Sequence, residues 1–270
     1  MTGKKLLEKM AKNERIYGTL ITSTSPAWLA RVKKIGLDFV FIDTEHTPMD
    51  RVTLSLFCNA YKALEIAPLT RIPSPSPYDA CMALDAGSNG ILGPYIENAE
   101  QVRQLVGAVK YRPLKGKRLQ DVLHDRIELS FKEKEFFKRF NEGNFLFVNI
   151  ESVEAMNNLD EILAVDGLDG IVIGPQDLSI NLGVPEQYDS EEFLSAVKYI
   201  IDKALFHKKM VGNHFSFDID YELEWAKSGM NIILHSQDQV IFVNNMREEL
   251  NRFRSLLGDP LIDSNGNIIN

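Results

Sequence analysis

Phe145-Leu-Phe-Val-Asn-Ile-Glu151 and Gly170-Ile-Val-Ile-Gly-Pro-Gln-Asp177 are two short apolar runs that each end on a carboxylate. A helical pattern follows each of them. A short run that is apolar on both faces reads as a parallel strand covered on two sides. If the two runs are neighbours in one parallel sheet, Glu151 and Asp177 leave it at the same edge. Two acids at adjacent strand ends suit a hard divalent cation, which takes oxygen ligands.

The same alternation extends in both directions. Tyr17 to Thr22 reads as a strand and Ala27 to Lys34 as a helix. Asp38 to Asp43 pairs with a helix over Met49 to Ile66, Ala67 to Arg71 with Pro77 to Asp85, and Asn89 to Gly93 with Ala99 to Lys110. After the opening pair of runs, with helices over Ala155 to Leu163 and Ser190 to Phe206, come two more units. These are Met210 to His214 with Tyr221 to Ser228, and Asn231 to His235 with Val240 to Leu256. Eight strand–helix units predict a single-domain (β/α)8 TIM barrel over residues 1–270. The competing open, doubly wound sheet would carry a Gly-rich phosphate turn after an early strand, and none is present. Residues 111–144 form an insertion after the fourth unit. It reads either as a functional lid or interface or as a solvated excursion. Residues 258–270 read as a disordered or loosely docked tail.

Composition narrows the function. The net charge of −8 argues against nucleic acid, which needs clustered Lys and Arg. It leaves room for an anionic small molecule beside a metal and an arginine. Cys58 and Cys81 show no metal-like spacing and read as small core residues in a reducing, cytoplasmic setting. No segment approaches the roughly 20 apolar residues that span a bilayer, and the Lys-rich amphipathic start lacks a signal peptide's apolar stretch.

Active sites of such barrels lie at the carboxyl rim of the strands. That rim is expected to collect Asp43, Glu45, His46, Arg71, Glu151, Asp177, His214 and His235, with Asp85 nearby. His46 follows carboxylates closely enough to be set up as a general base. Arg71 either pairs with a buried acid or holds an anionic substrate by a forked contact. Asp85 sits near a helix end, where its charge opposes the dipole, and is expected to pair, with His46 as one candidate. His214 and His235 are weaker candidates. No lysine falls in a strand run or at its carboxyl end, so carbonyl activation would fall to a metal rather than to a Schiff base.

Four segments carry a family resemblance: Asp43-Thr-Glu-His-Thr-Pro48, Val148-Asn-Ile-Glu-Ser-Val-Glu-Ala-Met156, Gly170-Ile-Val-Ile-Gly-Pro-Gln-Asp-Leu-Ser179 and Ala86 to Glu100. Together they resemble the HpcH/HpaI aldolase/citrate lyase family. The resemblance implies a class II aldolase on a (β/α)8 barrel, cleaving a 4-hydroxy-2-oxo acid to pyruvate and an aldehyde through a metal-stabilised enolate. It implies Glu151 and Asp177 as ligands to Mg²⁺ or Mn²⁺, with Co²⁺ as a further candidate. It implies His46 as base with Asp43 and Asp85, and Arg71, Asn149, Gly174 and Pro175 as substrate-binding residues. It also implies a homo-oligomer, a hexamer, with an exchanged C-terminal helix. Two places depart from the pattern: Asn149 stands where the family has Gln, and Lys117-Arg118-Leu-Gln-Asp121 replaces an Arg-Gly-x-Gly stretch. They motivate a second class of reading, a 2-oxo acid binding or regulatory protein. A citrate-lyase-type acyl-CoA lyase would need basic residues such as Lys115, Lys117 and Arg118 for the CoA phosphates.

Overall fold

The computed structural model describes residues 3–215 and 218–269. Eight strands pair in chain order, all parallel, and close on themselves: β1 Ile16–Leu20, β2 Phe39–Asp43, β3 Ala67–Arg71, β4 Gly90–Gly93, β5 Phe145–Ile150, β6 Gly170–Ile173, β7 Met210–Phe215 and β8 Ile232–Gln237. The expected (β/α)8 barrel is therefore the fold.

Around it run α1 Gly3–Ala11, α2 Pro26–Val32, α3 Arg51–Ala63, α4 Pro77–Asp85, α5 Ala99–Lys110, α6 Gly116–Leu123 and α7 Phe131–Phe140. After β5 follow α8 Val153–Asn157, α9 Leu159–Leu163, α10 Pro175–Asn181, α11 Glu191–Phe206, α12 Ile219–Lys227 and α13 Asp238–Leu257. Side-chain caps fix many of the starts. Asp50, Ser76, Asn98, Ser130, Ser152 and Ser190 each accept a backbone N–H from the first turn of the helix they precede. Each such cap contributes about 1 kcal/mol.

Strand alternation decides what faces inward. Ile16, Leu20, Phe39, Phe41, Ala67, Leu69, Leu92, Phe145, Phe147, Val172, Met210, Ile232 and Leu234 fill the barrel interior. Rings pack against glycines on the next strand: Gly18 faces Phe39 and Gly90 faces Phe145 in register. A Cβ on Gly90 would stand 2.2 Å from the Phe145 ring, so only glycine leaves the ring its space. The other strand parity packs against the helices in a second, larger core. Each fully buried Phe contributes about 2–3 kcal/mol.

Two local features differ from expectation and one adds to it. The helix expected over 155–163 is two short helices, because Asn158 leaves helical geometry at φ −98°, ψ 12° and turns its amide to the Glu97 carbonyl. The amphipathic start forms α1, whose fully buried Leu6, with Leu7 and Met10, closes the amino-terminal floor of the barrel. The expected loose tail folds instead into a two-stranded hairpin, β9 Leu261–Ile262 with β10 Ile268–Ile269. Asn251 on α13 pins it, donating to the Ile262 carbonyl and accepting the Ile262 N–H.

Candidate active site

The inward parity that places Phe41, Leu69 and Phe147 in the core places the next inward residue of each strand at its carboxyl end. These are Asp43 on β2, Arg71 on β3 and Asn149 on β5, with Glu151 just beyond β5. His214 on β7 follows the same rule. All five line one cavity of about 660 Å³, shared with His46, Gly174, Pro175, Gln176 and Asp177. No lysine lines it.

Asp43 and Arg71 face each other in register across β2 and β3. Arg71 donates to both Asp43 oxygens, at 2.9 Å and 2.7 Å, and its Nε lies 3.1 Å from the Glu45 carboxylate. Burial alone would raise the Asp43 pKa, but the Arg71 hydrogen bonds and charge hold it below the usual carboxylate range. Arg71 thus pairs with the buried Asp43 and the half-buried Glu45, and it also lines the cavity.

Glu151 is 3% exposed. Its Oε1 accepts the Tyr95 N–H at 2.8 Å and its Oε2 accepts the Asn149 amide at 3.0 Å. Burial, with Asp177 adding repulsion, outweighs the Tyr95 hydrogen bond and Arg71 and pushes its pKa up to about 7. Tyr95 takes a left-handed backbone, φ 50°, to aim that N–H, at a cost on the order of 1 kcal/mol. Asp177 enters from the first turn of α10, whose Gly174 cap is the next inward position after Val172. A Cβ on Gly174 would stand 2.4 Å from Glu151 Oε2. Glycine thus keeps open the space beside the carboxylate.

A hard divalent cation fits this donor set. Glu151 and Asp177 supply charged oxygens, and the buried Asn149 Oδ1 has no hydrogen-bond partner. Among the described residues no group of three His, Cys, Asp or Glu could enclose an ion. A seat of two carboxylates would leave positions for substrate and water, as is usual for Mg²⁺.

His46 stands at the lip, its side chain 67% exposed, with Nε2 3.7 Å from Glu45. The expected Asp43 partner is taken by Arg71, because those two hold facing inward positions while His46 lies beyond the strand. His214 donates toward the Ser236 carbonyl at 3.3 Å and packs edge-on to Phe41. Burial, with Arg71 close by, pushes its pKa down to about 4, so it is neutral at pH 7.

Several expectations are corrected. Asp85 does not reach His46 within one chain. It ends α4, which runs from the rim down to the floor, and it ion-pairs there with Arg112. His235 is not at the rim cavity. It has the outward parity of β8 and pairs with Glu222 of α12. The 111–144 insertion is no lid over this chain's cavity, since α6 packs outside α5 with Leu119 and Leu123 around Gly107. Lys117 and Arg118 are paired there with Asp121 and Glu133. Sequence reading missed the Tyr95 N–H, Gln237 at the end of β8, and the residues that α13 and the tail bring to the mouth: Val240, Asn244, Arg247 and Ser264.

No helix among the described residues is long and apolar enough to cross a membrane. The family model described as HpcH/HpaI aldolase/citrate lyase matches residues 17–245. The 5-keto-4-deoxy-D-glucarate aldolase of Enterobacter sp. (strain 638) is 31% identical over 80% of this chain and 85% of its own. The 2-keto-3-deoxy-L-rhamnonate aldolase of Escherichia coli O9:H4 (strain HS) is 30% identical over 94% of this chain and 95% of its own. The crystal structure of citrate synthase SbnG superposes with a TM-score of 0.78 at 28% identity, covering 94% of this chain and 99% of that one. A barrel of this topology, with two acids, a paired arginine and a histidine at its carboxyl rim, agrees with those matches: the chain belongs to the HpcH/HpaI aldolase/citrate lyase family and is a carbon–carbon lyase of the aldolase type.

Proposed function

We propose that the chain cleaves a 4-hydroxy-2-oxo acid to pyruvate and an aldehyde with a divalent metal, Mg²⁺ or Mn²⁺, held by Glu151 and Asp177. When bound, such an ion supplies Lewis-acid polarisation of the oxo-acid carbonyl. His46 removes the C4 hydroxyl proton as the C3–C4 bond breaks. The electron pair of that bond stays on the pyruvate half. Arg71 faces the resulting negative charge with the N–H groups that Asp43 and Glu45 leave free. Asp43 acts through Arg71, as a positioning residue. Asn149, Gly174 and Pro175 form the wall against which the pyruvate half lies.

The observation that carries this reading is the convergence of Glu151, Asp177, Arg71, Asn149 and His46 on one cavity at the carboxyl rim. The test is pyruvate release from a panel of 4-hydroxy-2-oxo acids with Mg²⁺ or Mn²⁺, before and after chelation. Release that survives complete metal removal overturns the reading. Tight pyruvate or oxalate binding with no turnover on any aldol favours the binding or regulatory protein instead. The acyl-CoA reading is weakened because Lys117 and Arg118 are already paired with acids.

The similarity to a citrate synthase favours a second reading, in which the same groups form a carbon–carbon bond rather than break one. Assaying both directions with the same panel separates the two. A homo-oligomer is supported by the exposed apolar side chains of α13, including Phe242, Val243, Phe253 and Leu256. The thiols are free: Cys58 is buried and Cys81 half-buried, in keeping with a reducing cytoplasm.

A further inference from the structure

We propose that Arg247 determines substrate specificity by holding a carboxylate on the aldehyde half, so that the acid cleaved here is charged at both ends. This deepens the aldolase reading and rests on it. Val240, Asn244 and Arg247 recur at i, i+4 and i+7 on α13, and this stripe lines the mouth of the cavity. The tail hairpin brings Ser264 to the same wall. Arg247 is half-buried, while the helix residues on either side of it are exposed. Its guanidinium is oriented by neutral groups: Nη2 donates to Asn244 Oδ1 at 2.8 Å and Nη1 to the Ser264 carbonyl at 3.4 Å.

Among the described residues two arginines line this cavity, and their situations are opposite. Arg71 is neutralised by Asp43 and Glu45. Arg247 makes no ion pair with any described residue. A half-buried guanidinium held in place without a counter-ion is a seat for a planar anion, and a carboxylate matches its fork. The acids lie at the deep end, where the pyruvate half and a cation belong. A carboxylate on the aldehyde half is driven from those acids toward the mouth. A neutral aldehyde would leave Arg247 without a charged partner and would gain little from it.

The experiment compares kcat/KM for two 4-hydroxy-2-oxo acids of equal carbon number, one ending in a carboxylate and one in a primary alcohol. Wild type, Arg247→Gln and Arg247→Lys are assayed with Mn²⁺. Wild type is expected to favour the acid-ended substrate. Arg247→Gln should lower its kcat/KM by about ten- to hundredfold, mainly through KM, and collapse the preference. Arg247→Lys, which keeps the charge but loses the fork, should retain part of it. No preference in wild type overturns the inference, as does an equal loss on both substrates in Arg247→Gln. Exchange of the pyruvate methyl protons reads the deep site without any aldehyde. Exchange that persists without an acid preference sinks this inference alone, whereas absence of exchange sinks the aldolase reading with it.

Discussion

Arg71 and Asp43 meet edge to edge across two adjacent strands, Nε to Oδ1 at 2.9 Å and Nη2 to Oδ2 at 2.7 Å. The pair is a cross-strand register contact at the rim, so the barrel itself sets the aim of the guanidinium. Asp43→Asn removes the charge and one acceptor while leaving the side-chain volume. It leaves Arg71 with Glu45 as its remaining counter-ion. The expected outcome is a loss of about 3 kcal/mol of stability, the scale of breaking a buried pair from one side. Urea unfolding at pH 7 measures it. A change below about 0.5 kcal/mol would show that Glu45 alone satisfies the arginine.

Gly174 has an ordinary φ of −93°, so alanine meets no backbone strain there. The obstacle is the Glu151 carboxylate, 2.4 Å from the added methyl and bounded on its other side by Asn149 and the Tyr95 N–H. Gly174→Ala should therefore fold normally but displace the carboxylate. Affinity for Mn²⁺ should fall by about ten- to hundredfold, the usual effect of disturbing a ligand's support. Isothermal titration with Mn²⁺ checks this, and unchanged affinity would mean that Glu151 is free to shift without loss.

The barrel was legible because its strands are short, apolar and separated by helical patterns. Period two within each strand carried further than the list of polar rim residues did. Counted from the core, it puts Asp43, Arg71, Asn149, Glu151 and His214 inside and His235 outside, where His235 is found. Asp85 was misplaced because its position was judged from local charge and not from the direction of α4, which carries it to the floor. Of the two carboxylates that precede His46, Asp43 is claimed by Arg71 on the neighbouring strand, and Glu45 is the one that lies 3.7 Å from the ring. The Tyr95 N–H could not be read at all, since a backbone group is the same in every residue and only the turn aims it. Arg247 needed knowledge of how α13 and the tail fold back over the rim.

His214 carries a pH-dependent load. Burial, with Arg71 nearby, depresses its folded pKa to about 4 from 6.5. The unfolded chain takes up a proton below pH 6.5 while the folded chain does not. The His214 contribution is therefore lost as pH falls from 6.5 toward 4, by up to on the order of 3 kcal/mol. Because Glu151 contributes with the opposite sign over much of the same window, the readout is the difference between wild type and His214→Asn, and wild type should lose stability relative to the variant as pH falls. Unfolding midpoints at pH 4.5, 5.5, 6.5 and 7.5 test it, and parallel curves would mean that the ring is hydrated and titrates normally.

Glu151 has the opposite sign. Its folded pKa is raised from 4.5 to about 7. An acid shifted upward contributes fully below the unfolded value and loses that contribution as pH rises through the folded one. The metal-free wild type should lose on the order of 3 kcal/mol between pH 4.5 and about 8, relative to a chain without that carboxyl. Glu151→Gln provides the comparison. Its amide oxygen can still accept the Tyr95 N–H, and a flipped Asn149 can accept the new N–H with the oxygen that now lacks a partner. Without metal at pH 8, Glu151→Gln should therefore be more stable than wild type. Saturating Mn²⁺ should reverse the order, because binding stabilises only the chain that keeps the ligand. Thermal unfolding of both proteins at pH 5 and pH 8, with and without Mn²⁺, gives the full comparison. If metal-free wild type and Glu151→Gln unfold alike at pH 8, the carboxylate is ionised there without penalty, and the repulsion that a cation would relieve does not exist.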